Sequence, residues 1–129
     1  MPTIQAREYY SQQVHYLRKS IGFADDGVEL TMGVIPSGSV ILKALSGINV
    51  DVAFDAGTTN TVNMGTSADD NLYGTVLAAG AIAFVPLDET VAMTVAADTT
   101  MTVTVVLTGT AATVGNGEAL IAYIPDNDG

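Results

Sequence analysis

The amino-acid sequence predicts an all-β protein, an antiparallel β-sandwich of jelly-roll type, and three observations carry that expectation. Across residues 27–124 apolar side chains recur at every second position: Val28, Leu30, Met32 and Val34; Ile48, Val50, Val52 and Phe54; Met101, Val103, Val105 and Leu107. Strand side chains point alternately to opposite faces, so each run has one face to bury and one that can meet water. The apolar fraction, 48% of 129 residues, is mostly Val, Ala, Leu, Ile and Met, with 6% aromatic residues and no Trp. Aliphatic and β-branched side chains suit the thin core between two facing sheets. Turn residues punctuate these runs at intervals of roughly 8–12 residues, the spacing of sandwiches and jelly rolls.

The elements follow in order. Residues 13–19 have an ambiguous period, strand or short helix, and the strands around them favour strand. Ala24-Asp25-Asp26-Gly27 reads as a turn, in which Asp side chains bond nearby backbone and Gly admits positive φ. A strand over 28–35 ends at Pro36-Ser37-Gly38, and 39–45 forms the next. Ser46-Gly47 leads into a strand over 48–54. Residues 55–60 are a loop, followed by a short strand about Val62 and Met64. The longest irregular stretch is 65–80, with a helical period conceivable over 72–79. Four strands close the chain at 81–85, 90–95, 101–108 and 118–124. Val50, Val52, Phe54, Val103, Val105, Ile121 and Tyr123 are expected to face the core or an interface. The domain organisation expected is a sandwich over residues 25–129, with residues 1–24 either an N-terminal arm or its first strand.

Charge and chemistry exclude several classes. Acidic residues outnumber basic ones 14 to 4, a formal net charge of −10. Arg7, Arg18, Lys19 and Lys43 all precede residue 44, beyond which there are ten carboxylates and no Lys or Arg. Phosphate binding needs cations, so no nucleic-acid partner is expected. Arg7 and Glu8 stand where a signal peptide needs an apolar core, and no apolar window reaches a membrane span. No membrane partner is expected, and synthesis as a soluble, cytoplasmic product is. The absence of Cys removes disulfides and thiolate metal sites. His15 is the only imidazole, which excludes multi-His metal sites and leaves a Ser/His/Asp triad a single possible centre. Asp25-Asp26, Asp69-Asp70 and Asp88-Glu89 are adjacent pairs in turns, expected as solvated acids. Asp69-Asp70-Asn71 lacks the spaced ligands of an EF-hand, and the Gly33 to Gly38 stretch lacks the Lys-Ser/Thr of a phosphate loop. No catalytic residue, cofactor or metal site is expected, and the chain is not expected to be an enzyme.

Residues 1–24 stand apart. They hold three of the five tyrosines, the only His and three of the four cations. Tyr and Arg are enriched at interface hot spots, which makes Arg7, Tyr9, Tyr10, Tyr16 and Arg18 the candidate interface residues. Open sheet edges further predict a homodimer or homotrimer.

One pattern is more specific. Ile35-Pro36-Ser37-Gly38-Ser39-Val40-Ile41 is followed by Phe54-Asp55-Ala56-Gly57-Thr58-Thr59-Asn60-Thr61-Val62-Asn63-Met64-Gly65-Thr66, then by Gly109-Thr110-Ala111-Ala112 and the strand over 118–124. This order resembles small virion structural proteins of tailed bacteriophages and prophages, over about residues 27–124. The resemblance implies a capsid decoration, or cement, protein: a jelly-roll-like sandwich on the outer capsid surface, with the major capsid protein as partner and no catalytic residues. Related sandwiches in tail and fibre proteins supply an alternative, a module binding host-surface carbohydrate. Sugar sites use exposed aromatic rings, for which this chain offers little beyond Tyr73.

Overall fold

A computed structural model describes residues 13–126. In chain order its strands are β1 (His15–Gly22), β2 (Glu29–Ile35), β3 (Val40–Ile41), β4 (Gly47–Val52), β5 (Thr59–Thr66), β6 (Gly74–Ala78), β7 (Ala83–Pro86), β8 (Thr99–Thr108) and β9 (Asn116–Ile124). The only helical segments among the described residues are 3-10 turns, Phe23–Asp25 and Lys43–Leu45. Two antiparallel sheets result, one ordered β1-β9-β4-β7 and the other β2-β8-β5-β6. β3 pairs the last residues of β9, on the flank that β4 occupies further back.

The core forms where alternation holds. On β8, Met101, Val103 and Val105 are fully buried, and Met64 and Val62 lie opposite Val103 and Val105 on β5. From the other sheet Ile48 and Val50 of β4 and Ala119, Ile121 and Tyr123 of β9 join them in one cluster, which also includes Phe54. Burying a side chain of this size contributes about 1.5–3 kcal/mol, so the two facing sheets are what hold the molecule together.

The register shifts at three places, and at two of them the apolar alternation of the sequence changes face. The β2–β8 register shifts between Thr31 and Gly33, where Gly33 takes φ +149. Leu30 and Met32 therefore pack on the core, whereas Val34 turns outward and Ile35 turns in. The β4–β9 register shifts between Val50 and Val52, so Val52 is 41% exposed and not in the core. An extra residue on one strand exchanges the faces of everything beyond it.

Other elements also differ from expectation. The 39–45 strand is cut to Val40–Ile41 because residues 42–46 leave the sheet. That excursion still satisfies β9: Leu42 N donates to Ala122 O at 2.8 Å, and Ala122 N donates to the buried Ser46 Oγ at 2.8 Å. The 90–95 segment is no strand but a single bridge, Thr94 to Val40. The irregular stretch 65–80 contains β6, and 72–79 is not helical.

Candidate interface

Register and burial together assign each sheet residue to a face, because residues directly opposite one another share one. On the β1-β9-β4-β7 sheet, Ile48, Val50, Ile121 and Tyr123 point into the core, so their neighbours point out. The outward residues fall in rows across the strands. Arg18, Leu120, Gly47 and Pro86 form one row, and Ser20, Glu118, Asn49 and Phe84 the next. Tyr16 stands beside Ala122, and Val40 beside Ile124. Tyr16 is 58% exposed, Phe84 42% and Val40 41%.

Two of the five candidate interface residues, Tyr16 and Arg18, thus share one outer face; Arg7, Tyr9 and Tyr10 lie outside the described residues. Arg18 forms an ion pair with Glu118, one row away on β9. The Arg18 side chain is 69% exposed and Glu118 17%, so the pair adds at most about 1 kcal/mol of stability. Its consequence is local neutrality in the middle of the face. Lys19 points to the opposite side of edge strand β1, and Lys43 sits in the 3-10 turn packed on β9 and β7. His15 stacks on Tyr123 with ring centroids 5.7 Å apart.

The other outer face has a different composition. Thr31 lies opposite Thr102, Asn63 opposite Thr104, Thr61 opposite Val106 and Val34 opposite Thr100. Gly65 lies opposite Thr102, and a Cβ there would come 2.2 Å from Asp69 O, so the loop after β5 folds over this position. Thr102 and Thr104 are buried, and neither hydroxyl has a hydrogen-bond partner.

The turn acids, expected as solvated, act as loop ties. Asp25 accepts from Gly22 N, Asp26 from Leu107 N, Asp88 from Thr75 N and Asp98 from Ser37 N, at 2.8–3.0 Å. Asp55 accepts from Thr113 N at 2.7 Å, Val114 N at 3.1 Å and Thr113 Oγ1 at 2.8 Å. The amides of Val114 and Thr113 hold the Asp55 carboxyl below its ordinary 3.8. Each of these partners except Gly22 is at least 13 residues away in sequence, and no local motif announces it. Glu118 as the partner of Arg18, and Phe84 and Val40 as its companions on one face, were equally invisible without strand register.

Among the described residues no three His, Asp or Glu side chains converge on a metal position, and no helix is long and apolar enough to cross a membrane. A cleft of about 380 Å³ lies between residues 66–73 and 94–100. Tyr73 lines it but is only 5% exposed, so it offers no open ring for a sugar to stack on; burial raises its phenol above the ordinary 10.0.

No protein-family model and no curated protein matches the chain. A solved structure described as the cyanophage Pam1 capsid asymmetric unit contains a chain of the same fold, with a TM-score of 0.67 at 18% identity. The match covers 90% of this chain and 87% of that one.

Proposed function

We propose that this chain is a non-enzymatic structural protein of a tailed-phage virion: a decoration, or cement, protein that binds the outer surface of the major capsid protein shell and stabilises it through homodimeric or homotrimeric contacts. The observation that carries this reading is the shared fold with a component of a cyanophage capsid, over 90% of the chain. Strand order supports the jelly-roll form of the sandwich. The pairs β5/β6, β4/β7, β2/β8 and β1/β9 are nested in sequence and fall alternately in the two sheets. A single long hairpin, rolled up from its β5–β6 tip, has this pairing.

In this reading residues 25–129 make the body of the sandwich and β1 extends its sheet. The arm role belongs to the residues ahead of β1, where Arg7, Tyr9 and Tyr10 join Tyr16 and Arg18 in contacting neighbours. The test is to add purified protein to shells of the major capsid protein encoded with it. Saturable binding by dimers or trimers and a higher rupture temperature are expected. Folded protein that ignores the shell, or that labels the tail of intact virions, overturns the reading. Deleting residues 1–12 leaves every β1–β9 pair in place. It is expected to weaken shell binding without changing the circular dichroism spectrum; unchanged binding defeats the arm.

A further inference from the structure

The two outer faces of the sandwich are chemically unequal, and that inequality gives the molecule a direction. We infer that the outer face of the β1-β9-β4-β7 sheet is the docking face, and that its occupant is a protein surface with an apolar centre and carboxylates placed opposite Arg18 and Lys43. The inference rests on the reading of the chain as a shell-bound protein and adds which way up it sits: the β2-β8-β5-β6 sheet, carrying Thr31, Thr61 and Thr100, faces water.

Two observations support this. Tyr16, Val40 and Phe84 stand on three different strands of one face and remain 41–58% exposed, two of them aromatic, whereas the opposite face has no exposed ring among its described residues and sets Val34 and Val76 among threonines and Asn63. An apolar sheet face left in water gains favourable free energy when a partner covers it. Charge is the second observation. Of the three described cations, Arg18 points out of this face and Lys43 sits in the turn packed on its sheet, in a chain of net charge −10. Glu118, the carboxylate in the middle of the face, is neutralised by Arg18. Asp51, which accepts a hydrogen bond from Asn49 at 3.0 Å, adds a further carboxylate at the margin of the face, so Arg18 and Lys43 are the groups that meet an acidic partner.

The test compares charge insertions on the two faces in co-sedimentation with shells of the major capsid protein encoded with this chain. Val40→Glu and Phe84→Glu are expected to weaken binding by about tenfold or more each, and Thr31→Glu and Val34→Glu to leave it within about twofold. All four positions are exposed, so the fold tolerates them. Wild-type affinity in both Val40→Glu and Phe84→Glu, or loss confined to Thr31→Glu and Val34→Glu, overturns the inference while leaving the function intact. Folded wild-type protein that does not sediment with shells defeats the function and the inference together. Hydroxyl-radical footprinting of bound wild-type protein decides the matter independently of any variant. Protection at Tyr16 and Phe84 is expected, and protection at Val34 instead overturns the orientation.

Discussion

Asp55 lies outside both sheets, yet it ties the loop after β4 to the loop before β9. Three donors, two of them backbone amides, converge on its carboxylate and favour the ionised form. Its pKa in the folded chain is therefore lower than in the unfolded chain, where the ordinary 3.8 applies. A depressed carboxylate contributes stability that is fully present above the unfolded value and is lost as pH falls through the folded one. Wild-type protein is expected to melt above Asp55→Asn at neutral pH, with the gap closing as pH drops below 3.8. Calorimetry across pH 7 to about 2.5 checks this; a gap that is constant with pH removes ionisation as the cause. Backbone amides also donate to Asp25, Asp26, Asp88 and Asp98, so part of the acidic composition serves loop architecture. Sequence placed Asp25, Asp26 and Asp88 in turns and Asp55 in a loop, but apart from Gly22, the partner of Asp25, their amide donors are at least 13 residues away.

At the scale of elements, Gly47 begins β4 and lets β7 approach. Its φ is +153, and a Cβ there would stand 2.0 Å from Val85 O. Backbone cannot yield as a flexible side chain does. Gly47→Ala is therefore expected to cost about 3 kcal/mol or more, by prising β7 from β4. Urea unfolding measures it, and an unchanged midpoint refutes the contact. This element also shows what was legible. The alternation of 101–107 translated directly into β8 because no bulge interrupts that strand. The alternations of 28–34 and 48–54 were read as single faces but cross bulges, so Val34 and Val52 fell on the side opposite to their partners. A bulge is fixed by its pairing with a strand remote in sequence, and apolar period carries no trace of it. The short β3 has a comparable origin: β9 receives part of its pairing from the 42–46 excursion and needs no continuous neighbour. The candidate face was legible only as residue types. Tyr16 and Arg18 stood out by composition, whereas Phe84 and Val40 become their neighbours only once four strands are set in register.

At the scale of the whole molecule, the nested pairing determines which parts of the chain must find each other and how far they travel. β5 and β6 are joined by a short loop, whereas β1 and β9 pair His15 with Tyr123 across nearly the full described length. Closing a loop of that size costs entropy before any contact offsets it, and chains rich in such contacts fold slowly. Assembly is expected to start at the β5–β6 tip, recruit β8 and β4, and close β1 onto β9 last. Native-state hydrogen exchange checks the order: amides of β8 should be protected by the full unfolding free energy and those of β1 by less. Equal protection throughout would show a single cooperative unit. An outermost strand that closes last is also the one whose opening disturbs least of the core, and it carries Tyr16 and Arg18. The free protein can thus exchange β1 between its own β9 and that of a second copy without dismantling the sandwich, so a concentrated stock held near its unfolding temperature is where strand-swapped dimers would first accumulate.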